Sequence, residues 1–164
     1  MDLNEKIHTY LQDATDEETA VLDQIIDGLL ATQRKEQLTY LSGITHAEAT
    51  IPNTDTFAIR VPITPLIHNP LNIVHGGMTA TLLDSTMGGA AMQVLPDDVT
   101  AVTSQLNIHY LRPGTGKTLE CTATVVHSGK QLVVVEGNAF DDRNRMMLRR
   151  LVLSLLYLES KRKK

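Results

Sequence analysis

Asp84 is the single charged residue between Gly76 and Pro96, and its neighbours are apolar, small or hydroxylic. The stretch reads as one helix, and a helix this apolar is normally buried. A buried carboxylate without a partner costs several kcal/mol or shifts its pKa until it neutralises. No lysine or arginine stands three or four positions away to pair with it along the helix. Such a residue serves chemistry better than packing, although hydrogen bonds to nearby hydroxyls are the bland alternative.

The same helix opens with His75-Gly76-Gly77. A helix N-terminus leaves backbone N–H groups unpaired and carries a partial positive charge. Glycines there remove the Cβ atoms that would hold another molecule away. The combination can bind a phosphate, or polarise a carbonyl that gains negative charge during acyl transfer. It can equally be a histidine cap with glycines for close packing. Ala80, Thr81, Gly88 and Ala91 add a strip of small residues beside Asp84. Gly88 and Gly89 cost the helix roughly 1 kcal/mol each unless packing returns it.

Distance links the two features. Asp84 lies seven or eight residues beyond Gly77 and Gly76, about 10–12 Å along a helix axis. Its side chain leans back towards the N-terminus, but only by a few ångströms. One chain's Asp84 therefore does not reach a carbonyl held by its own glycine amides. If both act on one substrate, helices from two chains lie side by side, which predicts a site shared across a dimer interface.

The elements that must position these groups follow from periodicity. Residues 1–41 form a helical lead-in, with capping-box spacing at Thr15 and Glu18 and a stripe through Val21, Leu22, Ile25, Ile26, Leu29 and Leu30. That stripe packs against the body of the domain or a second copy. Residues 42–164 form the body. Segments 44–51 and 56–63 read as strands, and Pro62, Pro65 and Pro70 mark a loop over 64–74.

After the helix, 100–111 alternates with Val102, Ser104, Leu106, Ile108 and Tyr110 on one face and Thr103, Gln105, Asn107 and His109 on the other. Segment 118–127 puts Leu119, Cys121, Ala123 and Val125 on one side. Short turns at Ser128-Gly129-Lys130 and Asp141-Asp142-Arg143-Asn144 lead into 132–140 and 146–158. Short turns predict an antiparallel meander, and one helix between β segments predicts an α+β sheet curled around it.

Composition narrows the function. The 164 residues carry a net charge of −4 with no basic face in the body, and two phenylalanines and no tryptophan leave little for stacking bases. Nucleic acid is disfavoured as a partner, and Lys161-Arg162-Lys163-Lys164 reads as a solvated tail. Cys121 is the single cysteine, which excludes an internal disulfide and fits a reducing compartment. The start lacks a secretory pattern and residues 151–158 are too short to span a bilayer. These features predict a soluble cytoplasmic protein with no membrane attachment.

Asn69-Pro70-Leu71-Asn72-Ile73-Val74-His75-Gly76-Gly77, with Asp84 nine positions after His75, resembles the hotdog-fold acyl-CoA thioesterases of the phenylacetyl-CoA thioesterase-like group. The segment from Thr103 to Gly114 is similar to that family's strand after the central helix. The resemblance runs from about residue 42 to 158 and leaves the lead-in outside. It implies a hotdog fold and hydrolysis of an acyl-CoA thioester, with CoA as part of the substrate and no other cofactor.

By the resemblance, Asp84 is the general base or nucleophile, and Gly76 or Gly77 donates to the thioester oxygen. His75 and Asn69 position the thioester or the attacking water, and Thr103 orients water. Asn72 stands where many relatives carry glycine. The resemblance further implies a homodimer assembled into a homotetramer, with CoA mostly at the surface. Lys130 beside Gly129, Arg112 and Ser104 are candidate contacts for substrate or CoA.

A thioester suits this equipment, because its thiolate leaving group, with a thiol pKa near 8.5, needs little acid assistance. One carboxylate and oxyanion donors suffice, and no nucleophile elbow is present. Three rivals are weaker. His68, His75, His109 and His127 have no metal-ligand spacing, so no metal is expected. A hotdog hydratase or dehydratase would want the histidine and the acid as an acid–base pair. A non-catalytic acyl-CoA sensor would carry an added DNA-binding segment, whereas the lead-in is acidic along Asp16-Glu17-Glu18.

Overall fold

A computed structural model describes the backbone of residues 1–159 and the side chains of residues 1–147; the basic tail from Lys161 lies outside the described residues. Three helices lead the chain: α1 (Leu3–Asp13), α2 (Asp16–Gln33) and α3 (Tyr40–Ile44). The first two start on capping boxes, Asp2 with Glu5 and Thr15 with Glu18, each satisfying two backbone donors. Helix α1 buries no residue, while α2 crosses α3 where Gly28 meets Gly43 backbone to backbone. The lead-in is thus three helices, and α3 spans positions 41 and 42.

Strands β1 (Glu48–Asn53) and β2 (Thr56–Pro62) form a hairpin. A 3-10 turn, Pro65–Ile67, and a loop lead into α4 (Gly76–Met92). Then come β3 (Val99–Leu106), β4 (Thr118–Ser128), β5 (Leu132–Asp141) and β6 (Met146–Glu159). All six strands form one sheet in the order β1-β2-β4-β5-β6-β3, with every pairing antiparallel.

Helix α4 lies on that sheet, against β2, β4, β5 and β3, and its buried Leu82, Leu83, Met87, Ala90 and Ala91 meet the inward residues of the strands. Leu119, Cys121 and Ala123 of β4 and Val133, Val135 and Ala139 of β5 supply the facing layer. Each set recurs at a period of two, so one face of each strand is core and the other is not. The two helix glycines differ: a Cβ on Gly89 would strike the Phe57 ring, whereas one on Gly88 would meet nothing within 4 Å. Packing returns what Gly89 costs the helix, and Gly88 leaves open space.

The sheet departs from the sequence reading in three places. Strand β1 begins at Glu48, because residues 40–44 continue the helical lead-in. Strand β3 ends at Leu106, and it pairs with β6 at the far edge rather than with β4. Residues 107–117 then carry the chain across to β4, so the true meander is β4-β5-β6. Within β3 the register shifts between Thr103 and Gln105, opposite Leu155 and Ser154. Ser104 is the extra residue of this bulge. Simple alternation puts Thr103 and Leu106 on opposite faces, yet Thr103 bonds to α4 and Leu106 packs against the core. The bulge reconciles the two.

One polar staple fixes the connection 107–117. Asp141, buried at the end of β5, accepts from the backbone N–H of Arg143 (3.0 Å) and Arg145 (2.9 Å) and from the Arg145 guanidinium (2.6 Å). Arg145 in turn donates to the Thr115 hydroxyl at 3.0 Å. Burial alone would raise the Asp141 carboxyl, but the Arg145 guanidinium and the amides of Arg145 and Arg143 outweigh it and hold it below its ordinary value.

A carboxyl lowered by folding contributes stability above its unfolded pKa, about 3.9, and that contribution fades as pH falls through the folded value. Asp141→Asn should therefore melt below wild type near neutral pH, and the gap should close as pH falls through and below about 4. Thermal unfolding of both proteins across that range checks this. A gap independent of pH would mean that the charge does not hold the turn.

Candidate active site

The start of α4 is assembled by the loop before it. His75 N–H donates to the Ile67 carbonyl at 2.8 Å, and Val74 N–H to the Gly114 carbonyl at 3.0 Å. The Asn69 side-chain oxygen accepts from the N–H groups of Leu71 (2.9 Å) and Ile73 (3.4 Å), closing an Asx-type turn. That leaves the Asn69 amide NH2 as the outward donor. Asn72 has φ +55°, a left-handed conformation that glycine and asparagine adopt most readily. Asparagine in a glycine position thus keeps the loop's path.

His75 is the N-cap: its Nδ1 accepts the Gly77 N–H at 2.9 Å, the service that Ser or Asp renders elsewhere. Nδ1 acting as acceptor places the proton of a neutral ring on Nε2, which makes the exposed edge of His75 a donor. The sequence left Gly76 and Gly77 as alternative donors, and the geometry separates them. The Gly77 N–H is engaged, while the Gly76 N–H, at the first helical position, has no partner among the described residues.

Gly76, Asn69 and Arg112 line one cavity of about 330 Å³, walled by Ile73, Tyr110 and Met147. Tyr110 reaches it from beyond β3, and its hydroxyl donates to the Gly76 carbonyl at 2.7 Å. The sequence reading treated Tyr110 only as one face of a strand. Its position just before Leu111-Arg112-Pro113-Gly114, a turn that brings the chain back to α4, was the available signal.

The second half of the site lies further along α4. Asp84 Oδ1 accepts a hydrogen bond from the Thr103 hydroxyl at 2.7 Å. The expectation of a fully buried carboxylate needs correction, since Asp84 is partly exposed in the single chain. It faces β3 at the edge of the sheet, away from the enclosed face of α4, and Thr103 is itself exposed. One oxygen is thereby held while the carboxylate stays accessible, which an acid–base group requires.

Of the other candidates, Ser104 sits in the bulge beside Thr103. Gly129 and Lys130 form the β4–β5 turn, where the Gly129 N–H donates to the Leu132 carbonyl at 2.9 Å. Thr103 pairs with Leu155, Leu155 with Val133, and Val133 with Ser128. The turn therefore shares a row of the sheet with Thr103, three strands away or about 14 Å. Arg112 belongs to the Gly76 end. Burial pushes the Cys121 thiol up to about 12, so it is no nucleophile. Among the described residues, no group of three His, Cys, Asp or Glu side chains is placed to hold a metal ion, and no helix is long and apolar enough to cross a membrane.

Residues 71–147 match the family model of the thioesterase superfamily. A Bacillus halodurans protein crystallised with CoA is 44% identical, superposes with a TM-score of 0.88, and is covered over 100% of its length by 95% of this chain. The chain belongs to the hotdog-fold thioesterase family.

More distant members share the fold, such as the Escherichia coli PaaI protein from the phenylacetic acid degradation operon (19% identity, TM-score 0.68, covering 84% of this chain and 97% of that one). A 1,4-dihydroxy-2-naphthoyl-CoA hydrolase of Listeria monocytogenes is 24% identical over 90 residues, 54% of this chain and 72% of its own. A candidate esterase of Halobacterium salinarum is 45% identical over 65 residues, 38% of this chain, and the match spans 42% of its length. The fold is the α+β arrangement that the residue pattern predicts, and the hotdog that the resemblance implies.

Proposed function

We propose that this protein hydrolyses an acyl-CoA thioester to the free acid and CoA, at a site shared by two copies of the chain. The observation that carries the reading is the pairing of an unoccupied Gly76 N–H with a Thr103-held Asp84 on the same helix. The two lie about 12 Å apart along the axis, too far for one thioester to bridge within a chain. Strand β3, next to Asp84, is a sheet edge with Val102 exposed. Edges of this kind pair readily with another chain. A second copy added there would set the two α4 helices side by side, one chain's Asp84 towards the other's Gly76.

In the proposed reaction Asp84 takes a proton from water, and the water oxygen bonds to the thioester carbon. The carbonyl electrons move to the oxygen, where the Gly76 N–H and the helix N-terminus stabilise the negative charge. Collapse reforms the carbonyl and breaks the C–S bond, releasing CoA thiolate. Direct attack by Asp84 would instead give an anhydride, and 18O found in Asp84 after one turnover in labelled water would identify that route. The Bacillus halodurans relative with CoA supports the choice of CoA, with Arg112, Lys130, Gly129 and Ser104 as its contacts. The lone buried thiol supports a cytoplasmic site of action.

The test is thiol release from short, medium and aryl acyl-CoAs, followed with a chromogenic disulfide, alongside sedimentation. We expect turnover together with a dimer or a tetramer of dimers. Full activity in a strictly monomeric species would remove the shared site. Binding without turnover would favour an acyl-CoA sensor instead.

A further inference from the structure

The first turn of α4 contains two consecutive glycines, the residues with the widest backbone freedom, at the end of a helix where no earlier carbonyl restrains the N–H groups. Both ends of the Gly76–Gly77 peptide are nevertheless tied. Its carbonyl accepts the Tyr110 hydroxyl at 2.7 Å, and its N–H donates to His75 Nδ1 at 2.9 Å. Two rings lie where Cβ atoms would stand: Tyr110 Cε1 comes within 3.3 Å of one on Gly76, and His75 Nδ1 within 3.0 Å of one on Gly77. Each glycine is therefore the residue that lets its ring close on the backbone.

Tyr110 is itself well anchored. The N–H groups of the following Leu111 and Arg112 both donate to the Met147 carbonyl, at 2.9 and 3.3 Å. The Tyr110 ring is half exposed, and partial burial of its phenol raises it above its ordinary value; a phenol is in any case a donor near neutral pH. The ring also walls the cavity that Gly76, Asn69 and Arg112 line, which places it beside the proposed thioester carbonyl.

We propose that Tyr110 is a positioning residue for thioester hydrolysis: its hydroxyl locks the Gly76–Gly77 peptide and so keeps the adjoining Gly76 N–H aimed at the carbonyl oxygen. The role rests on the reading of Gly76 as oxyanion donor. A donor that must stabilise charge only in the transition state gains from being fixed beforehand. Losing the hydroxyl should therefore lower kcat and leave ground-state binding intact.

Tyr110→Phe keeps the ring and removes the bond; Tyr110→Ala removes both. For the phenylalanine variant we expect kcat to fall about fivefold to tenfold, the worth of one neutral hydrogen bond. KM should stay within about twofold, as should the affinity for an S-alkyl-CoA thioether, which has no carbonyl to feel the donor. The alanine variant should also raise KM, because the cavity wall is gone.

The Gly77 amide resonance of 15N-labelled protein, without substrate, should shift between wild type and Tyr110→Phe. An unshifted amide or an unchanged kcat overturns the proposal. A change in KM and thioether affinity at constant kcat also overturns it, since the hydroxyl would then touch ligand instead of backbone. If wild type hydrolyses no acyl-CoA, the functional reading falls and takes the catalytic role with it, while the amide shift still reports whether the clamp exists.

Discussion

Replacing Asp84 with asparagine should leave a folded protein of unchanged size that binds CoA thioesters and turns them over about 10²–10⁴ times more slowly, the usual worth of a general base. Asparagine matches the carboxylate in shape. Its carbonyl oxygen can still accept the Thr103 hydroxyl that Asp84 Oδ1 accepts at 2.7 Å, so the local structure has no reason to move. What is lost is the capacity to take a proton or to attack carbon. KM should change little, because the carboxylate contributes to the transition state more than to the ground state. Single-turnover kinetics beside thioether binding would separate these quantities. More than about a tenth of the wild-type kcat would put the base elsewhere, below the range expected for such a loss.

Few other groups in the described chain could take over. Cys121 is buried and protonated, with its thiol at about 12. Asp141 is occupied by Arg145 and two backbone amides. His75 uses Nδ1 to cap α4, so an imidazole acting as base would have to release its own helix. The hydratase alternative needs that histidine free to exchange protons with the acid. Its engagement in the cap is a structural reason to prefer hydrolysis.

The helix that carries Asp84 was legible in the sequence because two signals coincide there, an apolar run long enough for several turns and one charge without a partner. Strands β4 and β5 were legible for a similar reason, since Leu119, Cys121, Ala123, Val133 and Val135 repeat at a period of two and fill the core. The position of β3 was not. Turn length reports which strands are joined, and β3 pairs with β6 through contacts some fifty residues apart that no local pattern encodes. The bulge at Ser104 was hidden too, because an inserted residue leaves the alternation looking regular on the page. Tyr110 was missed as a consequence: continuing β3 to residue 111 makes it a strand residue, whereas ending β3 at Leu106 frees it to turn back onto Gly76.

Gly76→Pro asks the sharpest question of the oxyanion donor. Proline is well suited to the first position of a helix, where its missing N–H would have no helical partner and its φ is already near the helical value. His75, before it, has φ −62° and ψ 129°, the extended conformation that a residue preceding proline prefers. The helix should therefore form as in wild type, with melting little changed, while Tyr110 must give by a few tenths of an ångström at the added Cβ, so a kcat loss no larger than that of Tyr110→Phe would belong to the disturbed clamp alone. The Gly76 N–H is gone, however, and the Gly77 N–H remains bound to His75. Loss of a single oxyanion donor lowers kcat by about 10²–10³, and that is the expected result. A folded Gly76→Pro protein with nearly wild-type kcat would mean that His75 swings away during turnover and hands the Gly77 N–H to the substrate.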